Sequence, residues 1–503
     1  MLTISTVQIG PAVLRLNALR GVVVFTALCM GTCLAAHSSV ISPRSPTAQE
    51  TPVAADTLPA TVEAALARAR LPRDALSVVV VSVHGNQGAN RLMHRAAVPV
   101  NPASVMKLVT TYAALDQLGP AYVWNTPVYL QGALQGGRLR GNVIVQGLGD
   151  PKMVAERLWL LMRRLQGQGV QTIAGDIILD RSAFDVQDQD PARFDGEPLR
   201  PYNVSPDALL INYKSSVMSF VPDTASAVAH IQYEPPLAGV QRPTTVALNT
   251  AGTDCGDWRG ALRAELTDPA KVTFQGTYPV ACGERVWPVA AADPRGFAGR
   301  AVEGMWRELG GKLTGTVHDG KVPAGLAPAF VVTSPALAEV VRDINKYSNN
   351  VMAQQVFLTL ALQKNGVATF DGAREVLRQW WQARMGDAEM PLMTNGAGLS
   401  RDARITARAL ARMLQVAWVS PVMPDLVASL PISGVDGTLR RSQSRAGVAH
   451  LKTGSLKDVM AVAGYVHAAS GQRFVLVAVV NHANAASARP VLDSLIDWTA
   501  RDQ

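Results

Sequence analysis

Ser104 and Lys107 stand three residues apart, Ser348 and Asn350 two apart, and Lys452 opens the string Lys452-Thr453-Gly454. In that order the chain offers a hydroxyl with an amine one helical turn away, a second hydroxyl beside an amide, and a cation next to a glycine. Such a set performs serine acyl transfer on a substrate ending in a carboxylate. Elsewhere in the chain no lysine has a serine three residues before it, and no asparagine has one two before it. Each string alone recurs by chance; the information lies in the ordered triple.

A free serine hydroxyl is a poor nucleophile and needs an adjacent base. Lys107 serves only if its ammonium is neutralised, which burial and a second cation such as Lys452 both favour. Ser348 can relay a proton toward a leaving amine, and Asn350 can hold Lys107 with one end of its amide and a substrate carbonyl with the other. The N–H groups of Ser104 and Ser455 are the candidate oxyanion donors, helped by the positive potential of a helix start. Gly454 leaves the strand bare for substrate backbone, while Lys452, Thr453 and Ser455 suit a terminal carboxylate.

These residues need elements to position them. Val105, Leu108, Val109, Tyr112 and Leu115 recur at helical spacing, so a helix is predicted from about Ala103 to Leu118, with Ser104 in its first turn and Lys107 above it. A helix over residues 61–70 and a β-branched strand over 75–83 precede it. Helices over 336–347 and 351–364 flank Ser348-Asn349-Asn350, and others fall near 373–384, 405–418 and 487–500. Strands are expected at 452–455, 459–467 and 473–480. Between these ends, residues 125–332 read mostly as β-structure, with a hairpin across 128–145, a helix over 153–165 and strands over 172–179, 244–250 and 271–278. The fold class is α+β, an antiparallel sheet between helical layers. Its catalytic domain is assembled from residues 58–124 and 333–503, with a β-rich block inserted at 125–332.

The chain has 503 residues, 48% of them hydrophobic and 17% charged, with a formal charge of +8. Its arginines are scattered as singles and doublets, which describes a solvated basic surface, and no nucleic-acid motif is present. Arg15 and Arg20 precede an apolar run from Gly21 to Ala36 ending in small residues, the pattern of a secretory signal peptide over residues 1–36. A Ser-, Pro- and Thr-rich tether covers 37–57. Export to the periplasm follows, with membrane association at most peripheral. In that oxidising compartment the remaining pair, Cys255 and Cys282, is expected to form a disulfide. The histidines show no metal-ligand spacing, so neither a metal nor another cofactor is expected.

The triple resembles that of the penicillin-binding serine acyl transferases, and the long insertion resembles the D-alanyl-D-alanine carboxypeptidase/endopeptidase family, the class C low-molecular-mass penicillin-binding proteins. Supporting strings are Gly149-Asp150-Pro151, Ser205-Pro206-Asp207-Ala208-Leu209-Leu210, Gly398-Leu399-Ser400-Arg401 and Ser433-Gly434-Val435-Asp436-Gly437-Thr438-Leu439. The resemblance implies a penicillin-binding/β-lactamase-like domain. It implies peptidoglycan stem peptides as substrate, cut at D-Ala-D-Ala termini or D-Ala–diaminopimelate cross-links, and β-lactams as covalent inhibitors. It also implies recognition of the diaminopimelate side chain by Arg401 and an acidic residue of the insertion, chosen as Asp188 among Asp185, Asp188 and Asp190. Where the family usually reads Asp-Gly-Ser-Gly-Leu-Ser, this chain has Asn395-Gly396-Ala397-Gly398-Leu399-Ser400, which opens a question about that loop's hydrogen bonds. Asp436-Gly437-Thr438 reads as a turn and Trp380-Trp381 as core. A β-lactamase, or a peptidoglycan-binding protein that has lost catalysis, are the alternative functions.

Overall fold

The computed structural model describes residues 57–85, 91–386 and 389–501. The expected signal peptide and nearly all of the expected tether therefore lie outside the described residues. One five-stranded antiparallel sheet is drawn from both ends of the chain, in the order Ala449–Leu456, Val459–His467, Arg473–Asn481, Leu76–Ser82, Leu92–His94. Its inner strands are apolar at nearly every position because both faces are covered. Val78, Val80, Leu476, Ala478 and Val480 pack on one side with the helices Ala60–Arg68 and Arg489–Ala500. Val79, Val81, Val475, Val477 and Val479 pack on the other with the helices Lys107–Leu118, Asn350–Asn365 and Ala407–Trp418. That side chains alternate between two hydrophobic layers follows from the two-residue period of a strand. This is the α+β plan expected from the sequence. Trp380 and Trp381 are buried on the second layer, and the Trp380 indole donates to Asp116.

The intervening block forms sheets of its own. The strand Asn125–Gln135 enters it and Phe330–Thr333 leaves it, and the two are antiparallel neighbours with Val128 opposite Phe330. The chain thus exits beside where it entered, so the halves of the first sheet are not forced apart. Within the block the unit helix Ala155–Gly167, strand Thr172–Ile173, strand Ile177–Asp180 recurs as Phe297–Glu308, Lys312–Leu313, Val317–Asp319. The two copies pair in parallel, Lys312 opposite Thr172 and Val317 opposite Ile177. The single strand expected over 172–179 is broken at Gly175, where a Cβ would stand 2.3 Å from the Asn142 side chain. The expected strand over 271–278 survives only as Thr273–Phe274 and Tyr278–Pro279. A hairpin of Ser215–Asp223 and Val228–Glu234 belongs to a further five-stranded sheet, and Cys255 and Cys282 are disulfide-bonded beside it.

Two of the supporting strings clamp this block to the helix Asn350–Asn365. Gln355 on that helix accepts from Asp207 N–H and donates to the Gly149 and Asp207 carbonyls. Asp207 is in turn ion-paired with Lys214 at 3.0 Å and Arg181 at 2.9 Å, and Lys214 is only 1% exposed. Asp207→Ala leaves a buried ammonium without a counterion, and a loss of about 3–5 kcal/mol is expected from such a break. Thermal denaturation of the variant should show it as a midpoint lower by several degrees.

Candidate active site

The turn carrying Ser104 is held from three directions. It is a short 3-10 segment, Ala103–Met106, feeding the α-helix Lys107–Leu118 rather than the helix's own first turn. Ala103 takes φ +47°, a left-handed value unfavourable for any residue with a Cβ. Neighbouring contacts hold it there. Asn101 accepts from Ala103 N–H, donates to the Ser400 carbonyl, and exchanges a reciprocal pair of hydrogen bonds with Asn481. Gly398 lies against the Ala103 carbonyl, where a Cβ would approach within 2.0 Å. Neither Asn101 nor Asn481 stood out in the sequence, because each acts across a contact between distant segments.

Lys107 is fully buried, and its Nζ lies 2.9 Å from Ser104 Oγ, 2.6 Å from Asn350 Oδ1 and 2.7 Å from the Ala397 carbonyl. The Ala397 carbonyl can only accept. Asn350 Nδ2 donates to the Tyr202 carbonyl at 3.0 Å, which fixes the amide orientation and makes Oδ1 an acceptor too. A neutral amine has two N–H donors and one lone pair. In the neutral form, with both donors engaged by Asn350 and Ala397, the lone pair is left for the Ser104 hydroxyl. Burial, and then the charge of Lys452, push the Lys107 pKa well below the ordinary lysine value.

Lys452, also fully buried, donates to Ser348 Oγ at 3.0 Å and to the Thr453 carbonyl at 2.7 Å, and burial lowers its pKa to about 7. Ser348 sits in the left-handed region between the helices Leu337–Tyr347 and Asn350–Asn365, so its side chain turns toward the edge strand Ala449–Leu456. Ser104, Ser348, Thr453 and Ser455 line one cavity of ≈ 580 Å³. The Thr453 hydroxyl is 2.7 Å from that of Thr438, so the Asp436-Gly437-Thr438 turn also contributes to the cavity wall. Behind it, Asp436 pairs with the buried Lys346 at 2.6 Å.

Two expectations gain detail and one needs correction. Gly454 lines the cavity as expected, but the space a side chain would take there is already filled. A Cβ there would meet the Pro102 carbonyl at 2.5 Å and Ser104 N at 3.2 Å, so glycine is needed for the strand to approach the nucleophile's turn. Gly454→Ala is expected to slow β-lactam acylation and to destabilise by about 1–3 kcal/mol, as overpacking does; stopped-flow acylation and thermal melts measure the two effects. Asn350 holds Lys107 as expected, and one of its two Nδ2 hydrogens goes to the Tyr202 carbonyl, which leaves the other for a substrate carbonyl. Asp188 lines a separate cavity with Arg181, Arg295 and Asp319, whereas it is Asp190 that shares a cavity of ≈ 690 Å³ with Arg401. The loop carrying Asp188 turns between the two cavities, and spacing alone cannot show that side-chain direction.

Arg401 stacks 4.9 Å over the Phe194 ring and lies 3.6 Å from Asp458. The loop before it keeps its hydrogen bonds despite the altered string: Asn395 Oδ1 accepts from Ala397 N–H, and Nδ2 donates to the Leu399 carbonyl. An amide there serves the acceptor role of a carboxylate and adds a donor. This is what presents the Ala397 carbonyl to Lys107.

An antiparallel sheet between helical layers, with a serine and two buried lysines at its edge, defines a penicillin-binding type of serine acyl transferase. The D-Ala-D-Ala carboxypeptidase 3 (S13) family matches residues 58–502, and the chain belongs to that family. It is 29% identical over 388 residues to a D-alanyl-D-alanine carboxypeptidase of an Actinomadura species, covering 72% of this chain and 69% of that one. It is 24% identical over 371 residues to the carboxypeptidase DacB of Haemophilus influenzae, covering 71% and 75%. The crystal structure of penicillin binding protein 4 from the same organism superimposes with a TM-score of 0.69 at 22% identity, over 88% of this chain and 99% of that one. Family membership makes this protein a serine-type D-Ala-D-Ala carboxypeptidase by class.

Proposed function

We propose that the protein is an exported, periplasmic D,D-carboxypeptidase and D,D-endopeptidase of peptidoglycan that works through an acyl-enzyme on Ser104. The catalytic domain in this reading comprises residues 58–124 and 333–503, with 125–332 inserted. The observation that carries the reading is the fully buried Lys107 Nζ 2.9 Å from Ser104 Oγ, with Asn350 Oδ1 and the Ala397 carbonyl placed to take the two N–H donors of the neutral amine and leave its lone pair for Ser104.

Lys107 removes the Ser104 proton as Oγ attacks the carbonyl carbon of the penultimate D-Ala. The N–H groups of Ser104 and Ser455 receive the oxyanion. The C–N bond then breaks, the proton passes through Ser348 to the departing amine, and an ester on Ser104 remains. Water, activated in the same way, releases the peptide acid and restores the serine. Lys452 and Thr453 bind the carboxylate next to the scissile bond. Both substrate classes carry that carboxylate, as does a β-lactam, whose ring nitrogen cannot diffuse away after ring opening. Arg401, with Asp190 near it, faces the side chain of the donor diaminopimelate, in place of the Arg401–Asp188 pair first expected. No group of three or more metal-type ligands occurs among the described residues, and the scheme uses none. Among the described residues no helix is long and apolar enough to cross a membrane.

The test is incubation with a stem pentapeptide and with a cross-linked muropeptide dimer. Release of D-Ala from the first and of two stems from the second, both blocked by benzylpenicillin, is the expected result; no product from either refutes the proposal.

A further inference from the structure

The cavity that holds Ser104 does not end at Thr453. It continues past Thr438 to Arg440, Arg441 and Arg489, three exposed arginines from two separate segments of chain. None of the three side chains has an ion pair or hydrogen bond among the described residues. One acid, Asp493, lines the same cavity, and its oxygens accept from the Ser442 hydroxyl and the Gln443 N–H rather than from an arginine. A guanidinium is always charged and is shaped to take a carboxylate through two parallel hydrogen bonds. Three of them without partners on the wall of one cavity have the chemistry to take an anionic extension of the substrate.

The direction of that extension follows from the contacts. Resting on the reading of the site given above, the carboxylate beside the scissile bond lies at Lys452 and Thr453. Thr438 touches Thr453, Arg440 and Arg441 follow Thr438 in the same segment, and Arg489 lines the same cavity from another. That carboxylate belongs to the group that leaves, so whatever is attached to the leaving amine runs toward Arg440, Arg441 and Arg489. A released D-Ala ends at its carboxylate and reaches none of them. A stem leaving from a cross-link is different: its diaminopimelate continues into a second peptide with further carboxylates. Arg401 and its cavity lie apart, among residues that do not line this one.

We propose that Arg440, Arg441 and Arg489 bind the departing stem of a cross-linked peptide, and so favour endopeptidase over carboxypeptidase action at the same serine. They are specificity determinants and take no part in the chemistry. The experiment compares kcat and KM of the native protein and of the triple variant Arg440→Ala, Arg441→Ala, Arg489→Ala on the cross-linked dimer and on the monomeric pentapeptide. The rate of acylation by benzylpenicillin serves as a control. With exposed ion pairs contributing a few tenths to one kcal/mol each, kcat/KM for the dimer should fall on the order of 10-fold, mostly through KM, with the pentapeptide within about twofold. Arg441→Glu alone should also weaken the dimer selectively, and added salt should raise the native protein's KM for the dimer more than for the pentapeptide. Equal losses on both substrates, or no change on either while acylation persists, overturn the proposal. Failure of the native protein to be acylated condemns the underlying reading of the site instead.

Discussion

Ser104→Ala should abolish D-Ala release and cross-link cleavage, with a fall of at least about 10⁴-fold in kcat/KM, the scale seen when a serine nucleophile is removed. The folded state should be unaffected. Ser104 is only partly buried, and the hydrogen bond lost is one of three around Lys107, whose other partners, Asn350 and the Ala397 carbonyl, stay in place. Unchanged melting together with lost turnover therefore isolates the chemical role. Residual activity above that bound would mean that another group attacks the peptide, the next candidate in the cavity being Ser348, 3.0 Å from Lys452.

Lys107→Met is the second large effect. It keeps the chain length and apolar packing of a fully buried side chain but removes the lone pair that faces Ser104. Proton removal by a positioned base contributes about 10²–10⁴-fold, so acylation should slow by about 10³-fold, measurable as the second-order rate with a chromogenic cephalosporin. Lys107→Arg should do no better, because a guanidinium stays protonated and cannot serve as a base. The pH dependence follows from the protonation states of the two lysines. The competent form of Lys107 is neutral, so acylation rises with pH through its depressed pKa. The competent form of Lys452 is charged, so binding of carboxylate-ended peptides falls as pH rises through about 7. A bell-shaped kcat/KM follows, its descending limb near pH 7 in the unliganded enzyme. An ascending limb beginning only above about pH 9, near an ordinary lysine, contradicts the assignment of Lys107 as base.

Much of this site is written in local sequence. A serine and a lysine three apart, in a helical apolar pattern, must share a helix face, and the two-residue strand period fixes Lys452 and Gly454 on one side of their strand. The α+β sheet was legible for the same reason, since long β-branched runs such as Val78–Val81 and Val475–Val480 suit strands covered on both faces. What escaped were features that chain direction alone decides. The Ala397 and Tyr202 carbonyls complete the surroundings of Lys107, yet backbone oxygens leave no trace in residue types. Asn101 and Asn481 are ordinary polar residues until the fold brings them together. At Gly454 the sequence shows that a side chain is excluded, and only the fold shows that the Pro102 carbonyl and Ser104 N also exclude it. The repeated helix-strand-strand unit of the inserted block shares little beyond glycines before its second strands, Gly175 and Gly315, and too few residues match for the repeat to be seen.

Intact-mass spectrometry after incubation with benzylpenicillin, followed by peptide mapping, puts the convergence of these distant segments to the most direct test. One equivalent of the drug, attached at Ser104, is the predicted result. Addition at another residue, or no addition to folded protein, contradicts it.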